Sequence, residues 1–91
     1  MALFTVILEF DGGTYISQFE ARSPDDAAVK HRHYLLGLKE MSTLTTRKRL
    51  ADSLSLERLV AIEGLRNVWC CSASVGRKLA LVNFVATALG T

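Results

Sequence analysis

The chain predicts an α+β fold in which two β-hairpins form one four-stranded antiparallel sheet with helices packed on one face, in the order ββα(α)ββ. Three observations predict it. Residues 4–10 (FTVILEF) and 14–21 (TYISQFEA) are rich in β-branched and aromatic residues and flank Asp11-Gly12-Gly13. Residues 67–74 and 79–86 repeat that pattern around Val75-Gly76-Arg77-Lys78. Between the two, Ser23-Pro24-Asp25-Asp26 opens a segment whose apolar residues recur at helical spacing.

In the first hairpin, Gly12 and Gly13 are read as a two-residue loop, since glycine supplies the positive φ of the tight hairpin turns. Asp11 then faces Thr14, Phe10 faces Tyr15, Leu8 faces Ser17, Val6 faces Phe19 and Phe4 faces Ala21. One face collects Phe4, Val6, Leu8, Phe10, Tyr15 and Phe19. A three-residue loop would put the apolar sets of the two strands on opposite faces, which pleating penalises wherever one face is buried.

The first helix has several reasons to start where it does. Ser23 is a capping residue, Pro24 suits the first helical position, and Asp25 and Asp26 complement the positive end of the helix dipole. Ala27, Ala28, His31, Tyr34, Leu35 and Leu38 form its apolar stripe. Residues 41–65 are less regular. Residues 47–53 read as a short basic helix, and Leu56, Leu59, Val60 and Ile62 suggest a further helical turn or two before Gly64.

In the second hairpin a Gly76-Arg77 turn pairs Trp69 with Phe84, Cys71 with Val82 and Ala73 with Ala80. A terminal helix over 79–89 competes, but the β-branched and aromatic residues Val82, Phe84, Val85 and Thr87 favour strand. With the helices on the face bearing Phe4, Val6, Phe10, Phe19, Trp69 and Phe84, the opposite face keeps Leu3, Ile7, Ile16, Val68, Leu81 and Val85. An apolar set of that kind marks a contact surface, for a second copy or another protein, unless loops and the long segment 39–65 cover it.

Ninety-one residues make one domain, 1–91, with room for a single modest core. Hydrophobic content of 49% with one proline argues against disorder. The net charge of +2 is too small to name a partner, yet it is unevenly spread. Arg22 against Glu9, Asp11, Glu20, Asp25 and Asp26 leaves residues 1–29 at −4. Lys30, Arg32, Lys39, Arg47, Lys48 and Arg49 against Glu40 leave residues 30–49 at +5. The candidate basic patch is Arg47, Lys48 and Arg49. Consecutive residues on a helix diverge by about 100°, so the three do not share one face. No secretory signal is visible, and the apolar stretch 79–89 is far shorter than the roughly 20 residues a membrane helix needs. The reading is a cytoplasmic chain with no membrane partner, in which Cys70 and Cys71 are reduced thiols.

Catalytic and metal chemistry find no pattern. His31 and His33 are about 200° apart on a helix and cannot chelate one ion together. No C-x-x-C or H-x-x-x-H spacing occurs, so no metal or cofactor is expected. His31 on the apolar stripe reads as a hydrogen-bonded, partly buried residue. A thiolate–imidazole pair of Cys70 or Cys71 with His31 lacks the helix amino terminus or adjacent cation that depresses a thiol pKa. Glu9, Asp11 and Glu20 are too loosely placed to form an acid–base pair. Gly12-Gly13 joins strand to strand and is no phosphate loop.

The first forty residues, with strand, acidic-glycine turn, strand and the helix start Ser23-Pro24-Asp25-Asp26-Ala27, resemble the amino-terminal part of HicB-type antitoxin domains. That resemblance implies an antitoxin-like regulatory protein associated with nucleic acid. The chain departs from it after the first helix, where the next strand comes much later and residues 39–65 have no counterpart. The segments 12–18, 67–70 and 78–83 are similar to short bacterial ββα(α)ββ proteins without an assigned function, which implies a shared fold and transfers no site residues.

The expectation is a bacterial protein-interaction or self-associating module without catalytic activity. A nucleic-acid-associated regulator using the basic segment, and a small enzyme with a cleft between helices and sheet, are the alternatives.

Overall fold

A computed structural model describes residues 1–87. The chain runs β1 (Ala2–Phe10), β2 (Gly13–Ala21), α1 (Pro24–Gly37), α2 (Leu44–Ser55), β3 (Val60–Ala61), β4 (Val68–Val75) and β5 (Lys78–Thr87). The strands form one antiparallel sheet in the order β2-β1-β5-β4-β3. Both helices pack on one face, α1 over β2 and α2 over β4. The α+β architecture follows the sequence reading, with five strands in place of four.

The first hairpin turns one residue earlier than expected. Its loop is Asp11-Gly12, with φ of 50° and 82°, the two positive values that a type I′ turn demands. Phe10 therefore pairs with Gly13, Leu8 with Tyr15, Val6 with Ser17 and Phe4 with Phe19. Each partner moves by two residues, and because pleating has a period of two, every side chain keeps its expected face. Aspartate tolerates the left-handed region better than most residues, which lets the loop use Asp11. Gly13 then becomes an ordinary strand residue over which the Tyr15 ring folds.

The second hairpin has the expected register: Trp69 opposite Phe84, Cys71 opposite Val82 and Ala73 opposite Ala80. Gly76 takes φ of 61° in its two-residue loop while Arg77 does not turn positive. Residues 78–87 are strand, so the competing terminal helix is not formed there; residues 88 and 89 of that alternative lie outside the described residues.

Helix α1 starts as the sequence requires. The Ser23 hydroxyl accepts from the Asp26 N–H at 3.1 Å, and Asp26 returns the bond by accepting from the Arg22 N–H at 3.0 Å. That backbone bond, helped by Lys30, holds the Asp26 carboxyl below the usual range. The helix ends at Gly37, so Leu38 acts as its cap and packs on the core from outside the helix. Helix α2 is longer than the 47–53 expected, because Thr43 caps it by accepting from the Thr46 N–H.

No further helical turn follows. Val60 and Ala61 instead form β3, pairing with Cys70 and Trp69 on the free side of β4. Leu56 and Val60 are exposed, so their apolar spacing builds no buried stripe, and pairing the β4 edge satisfies backbone groups that a second helix would leave open.

The core is built from alternate residues of the central strands, Phe4, Val6, Leu8 and Phe10 of β1 with Ala80, Val82 and Phe84 of β5. Ala27, Ala28 and Leu35 of α1 and Leu50 and Leu54 of α2 close over them. Trp69 meets Phe4 with ring centroids 6.0 Å apart.

The turn geometry predicts unequal glycines. Gly12→Ala forces a Cβ into the left-handed region and should lower stability by about 1–2 kcal/mol. Gly13→Ala should cost clearly less, since only the Tyr15 ring must swing aside. Equal losses in chemical denaturation would place the turn at Gly12-Gly13 instead.

Candidate interaction surface

Because both helices lie on one side, the other face of the sheet has no layer over it among the described residues. It carries the odd-numbered side chains of β1 and β5 and the even-numbered ones of β2 and β4. All six expected residues, Leu3, Ile7, Ile16, Val68, Leu81 and Val85, fall on it. Ile16 is 63% exposed and Leu81 40%, while Leu3, Ile7, Val68 and Val85 are half-buried by neighbours on the same face.

The register assembles these residues into rows. Ile16 lies beside Ile7, followed by Asn83, Cys70 and Val60. Gln18 lies beside Thr5, then Val85 and Val68. Two residues join the surface that the sequence reading left off it, Leu79 at 61% exposure and Val60. The signal for Leu79 was its parity with Leu81. Val60 carried no such signal, because β3 was not anticipated.

Near the turns a shallow depression of about 430 Å³ is bounded by Glu9, Asp11, Leu79 and Leu81. The Lys78 ammonium donates to Asp11 at 2.9 Å there and ties the two hairpin turns together. Glu20 faces Leu3 while Glu9 faces Thr14, which puts the two carboxylates about 20 Å apart along the strands. They form no acid–base pair.

The candidate basic patch does not hold together. Lys48 and Arg49 are exposed, but Arg47 is only 6% exposed and faces inward. Its guanidinium donates to the carbonyls of Leu35 and Leu36 at the end of α1, and its Nε donates to the Ser42 carbonyl at 3.1 Å. Helix α1 has no basic residue in its last turn, so Arg47 supplies from α2 a donor to the Leu36 carbonyl and a second one to Leu35, which also accepts from the Leu38 N–H. That deficiency was the sequence signal for a capping arginine. Arg47 is therefore a strut between the helices and is not available to phosphate.

His31 is buried rather than half-buried, at 2% exposure, and its Nδ1 has no hydrogen-bond partner. The expected hydrogen bond is replaced by an aromatic cage, with ring centroids of Phe84, Phe19 and Tyr34 at 5.9, 6.2 and 6.4 Å. Burial, with the Arg32 charge as a smaller cause, pushes its pKa down to about 4. Burial also pushes the Cys71 thiol up to about 11, assisted by Cys70 and Glu57. Both residues border the same small, partly open pocket of about 10 Å³, roughly the space of one water molecule. Near neutrality they are an uncharged imidazole and an uncharged thiol, the reverse of a nucleophilic pair.

The larger concavity on the helix side lies between α1 and α2 and opens to solvent. It has a volume of about 370 Å³ and is lined by Val29, Arg32, His33 and Leu36 from α1 and by Lys48 and Asp52 from α2. It is not the cleft between helices and sheet that a small enzyme of this design would use. Among the described residues no three of His, Cys, Asp and Glu converge as metal ligands, and no helix is long and apolar enough to cross a membrane. The chain matches no family model, no curated protein and no solved structure.

Two outcomes follow from these environments. Arg47→Ala strands the Leu36 and Ser42 carbonyls, while Leu35 keeps its bond from the Leu38 N–H, and should cost about 2–4 kcal/mol in denaturant titration, with Arg47→Lys recovering only part because an ammonium cannot span the same acceptors. An Arg47→Ala variant as stable as wild type would remove the strut. For His31, the folded pKa lies below the unfolded value near 6.5, so the unfolded chain binds the extra proton. Its contribution is fully present above pH 6.5 and is lost as pH falls towards 4, to a total of about 3 kcal/mol. In His31→Phe that acid slope should flatten, as read from stability curves between pH 7 and pH 4.

Proposed function

We propose that this chain is a protein-interaction module without catalytic activity, and that the open face of its sheet is the surface through which it meets a protein partner. The observation that supports this most directly is the one-sided cover. Two helices seal the face of Phe4, Val6, Leu8 and Phe84, and the opposite face sets Ile16, Leu79, Leu81 and Val60 in solvent. A sheet evolved to face water alone carries polar residues at such positions. Polar groups are interspersed among them (Thr5, Gln18, Ser72 and Asn83), with Glu9 and Glu20 as the charges among the described residues. That composition resembles the mixed surface of a separable contact more than the interior of an obligate one.

The chemistry of the interior supports the non-catalytic part of the reading. The histidine and cysteine that the fold brings together, His31 and Cys71, are held uncharged around a pocket too small for a substrate, while Cys70 lies on the opposite face of the sheet.

The test is a pair of baits in source-cell extract: wild type, and a Leu81→Lys, Ile7→Lys variant shown by circular dichroism to be folded. A protein retained by wild type and released by the variant is the expected result. Identical captured sets from the two baits would sink the reading.

A further inference from the structure

The two edges of the sheet are treated very differently. On the far side β3 covers only Trp69 and Cys70, and the rest of the β4 edge is short and interrupted where the Ser53 hydroxyl donates to the Ser74 carbonyl. The β2 edge is nine residues long, with nine unbroken pairs to β1 and no bulge. It contains no proline and no lysine, and Glu20 is its one charged residue. Proteins ordinarily blunt an edge of that length with such devices.

One bond reveals which backbone groups face outward. Lys30 of α1 donates to the Glu20 carbonyl at 2.6 Å, on the side away from β1. Backbone groups alternate sides along a strand, so Thr14, Ile16 and Gln18 also present their N–H and C=O outward. The Gly13, Tyr15, Ser17 and Phe19 groups serve the ladder with β1, as the tight Phe10–Gly13 pair at the turn requires. Lys30 thus occupies one end of the edge and leaves residues 14–18 open.

We infer that this edge pairs with the same edge of a second copy, antiparallel about a two-fold axis at Ile16, to make one continuous ten-stranded sheet. Two registers pair Thr14, Ile16 and Gln18 entirely with outward residues of the other copy's β2. An axis at Ser17 would place the Glu20 carbonyl opposite Thr14 of the other copy, but Lys30 already holds that carbonyl. An axis at Ile16 pairs Ile16 with itself and Thr14 with Gln18, and leaves Lys30 undisturbed.

The chemistry of the edge is self-complementary in that register. Glu20 falls opposite Gly12 of the other copy, so it does not meet its own equivalent across the axis. Ile16, the most exposed of the six apolar residues expected on the open face, comes to lie against its own equivalent. The apolar row Ile7–Ile16 then continues unbroken across the axis. The contact closes on itself, whereas pairing β2 with the opposite edge would meet β3 at Cys70 and the Ser53 hydroxyl at the Ser74 carbonyl, which leaves too short a run to propagate a chain of copies. The inference does not depend on what covers the open face; it makes that face double and two-fold symmetric.

Gln18→Pro tests it, because proline removes an outward N–H and leaves the bonds of Ser17 and Phe19 to β1 in place. Gln18→Ala is the control: it loses the Gln18–Thr5 side-chain bond but keeps the N–H. In sedimentation equilibrium, wild type and Gln18→Ala should run at twice the 10.0 kDa chain mass. Gln18→Pro should dissociate roughly thirtyfold more readily, as two lost backbone bonds per dimer imply. Amide exchange on the wild-type chain needs no variant: Thr14, Ile16 and Gln18 should slow as concentration rises. A wild type that stays monomeric, a Gln18→Pro dimer as tight as wild type, or exchange independent of concentration would overturn the inference. Dissociation by the Leu81→Lys, Ile7→Lys variant but not by Gln18→Pro would also overturn it, while leaving the open face as the contact.

Discussion

The pairing of β1 with β5 is the constraint on which the rest of the structure depends. Every other strand pair joins neighbours in sequence, β1 with β2, β3 with β4 and β4 with β5. Residues 3–10 against 80–87 are the long-range ladder, and it turns two separate hairpins into one sheet. Its closure entropy must be met before the core exists, because Val6 and Leu8 find Phe84 and Val82 only through it. Two isolated hairpins would be marginal in water; joined, they present a face wide enough for both helices.

The helices depend in turn on a single arginine. Helix α1 ends without a basic residue of its own, and α2 begins only a few residues later. Arg47 spans that gap, bonding the last turn of α1 and the Ser42 carbonyl from a position two-thirds of a turn to one turn into α2. The bonds tie the end of α1 to the start of α2, while Leu50 and Leu54 turn the other part of α2 into the core. They also convert a cation from a candidate ligand into structure, which weakens any phosphate-binding reading of the basic segment.

With the helices locked on one side, the interior and the exterior take different roles. Inside, desolvation keeps His31 and Cys71 neutral, and an imidazole in an aromatic cage behaves as another ring that stacks and fills space. Outside, the bare face and the long β2 edge offer two kinds of association, apolar contact and backbone pairing. They are geometrically compatible, since one lies perpendicular to the sheet and the other within its plane.

Much of this was legible in the residues. Period-two alternation assigned every side chain of the two hairpins to its face, and the open-face set of Leu3, Ile7, Ile16, Val68, Leu81 and Val85 followed from parity alone. Even a misplaced turn did no harm there, because moving the loop from Gly12-Gly13 to Asp11-Gly12 shifts partners by two and preserves parity. Local rules also placed the start of α1 at Ser23 and the turn at Gly76. Three features were decided by the tertiary structure: the burial of Arg47 and His31, the strand at Val60–Ala61, and the exposure of the β2 edge. Each depends on a partner distant in sequence — the end of α1, the free side of β4, the pairing of β5 with the other side of β1 — and local periodicity carries no information about such partners. The residues themselves determined which faces are apolar; only the folded chain decided which of those faces and edges are left open.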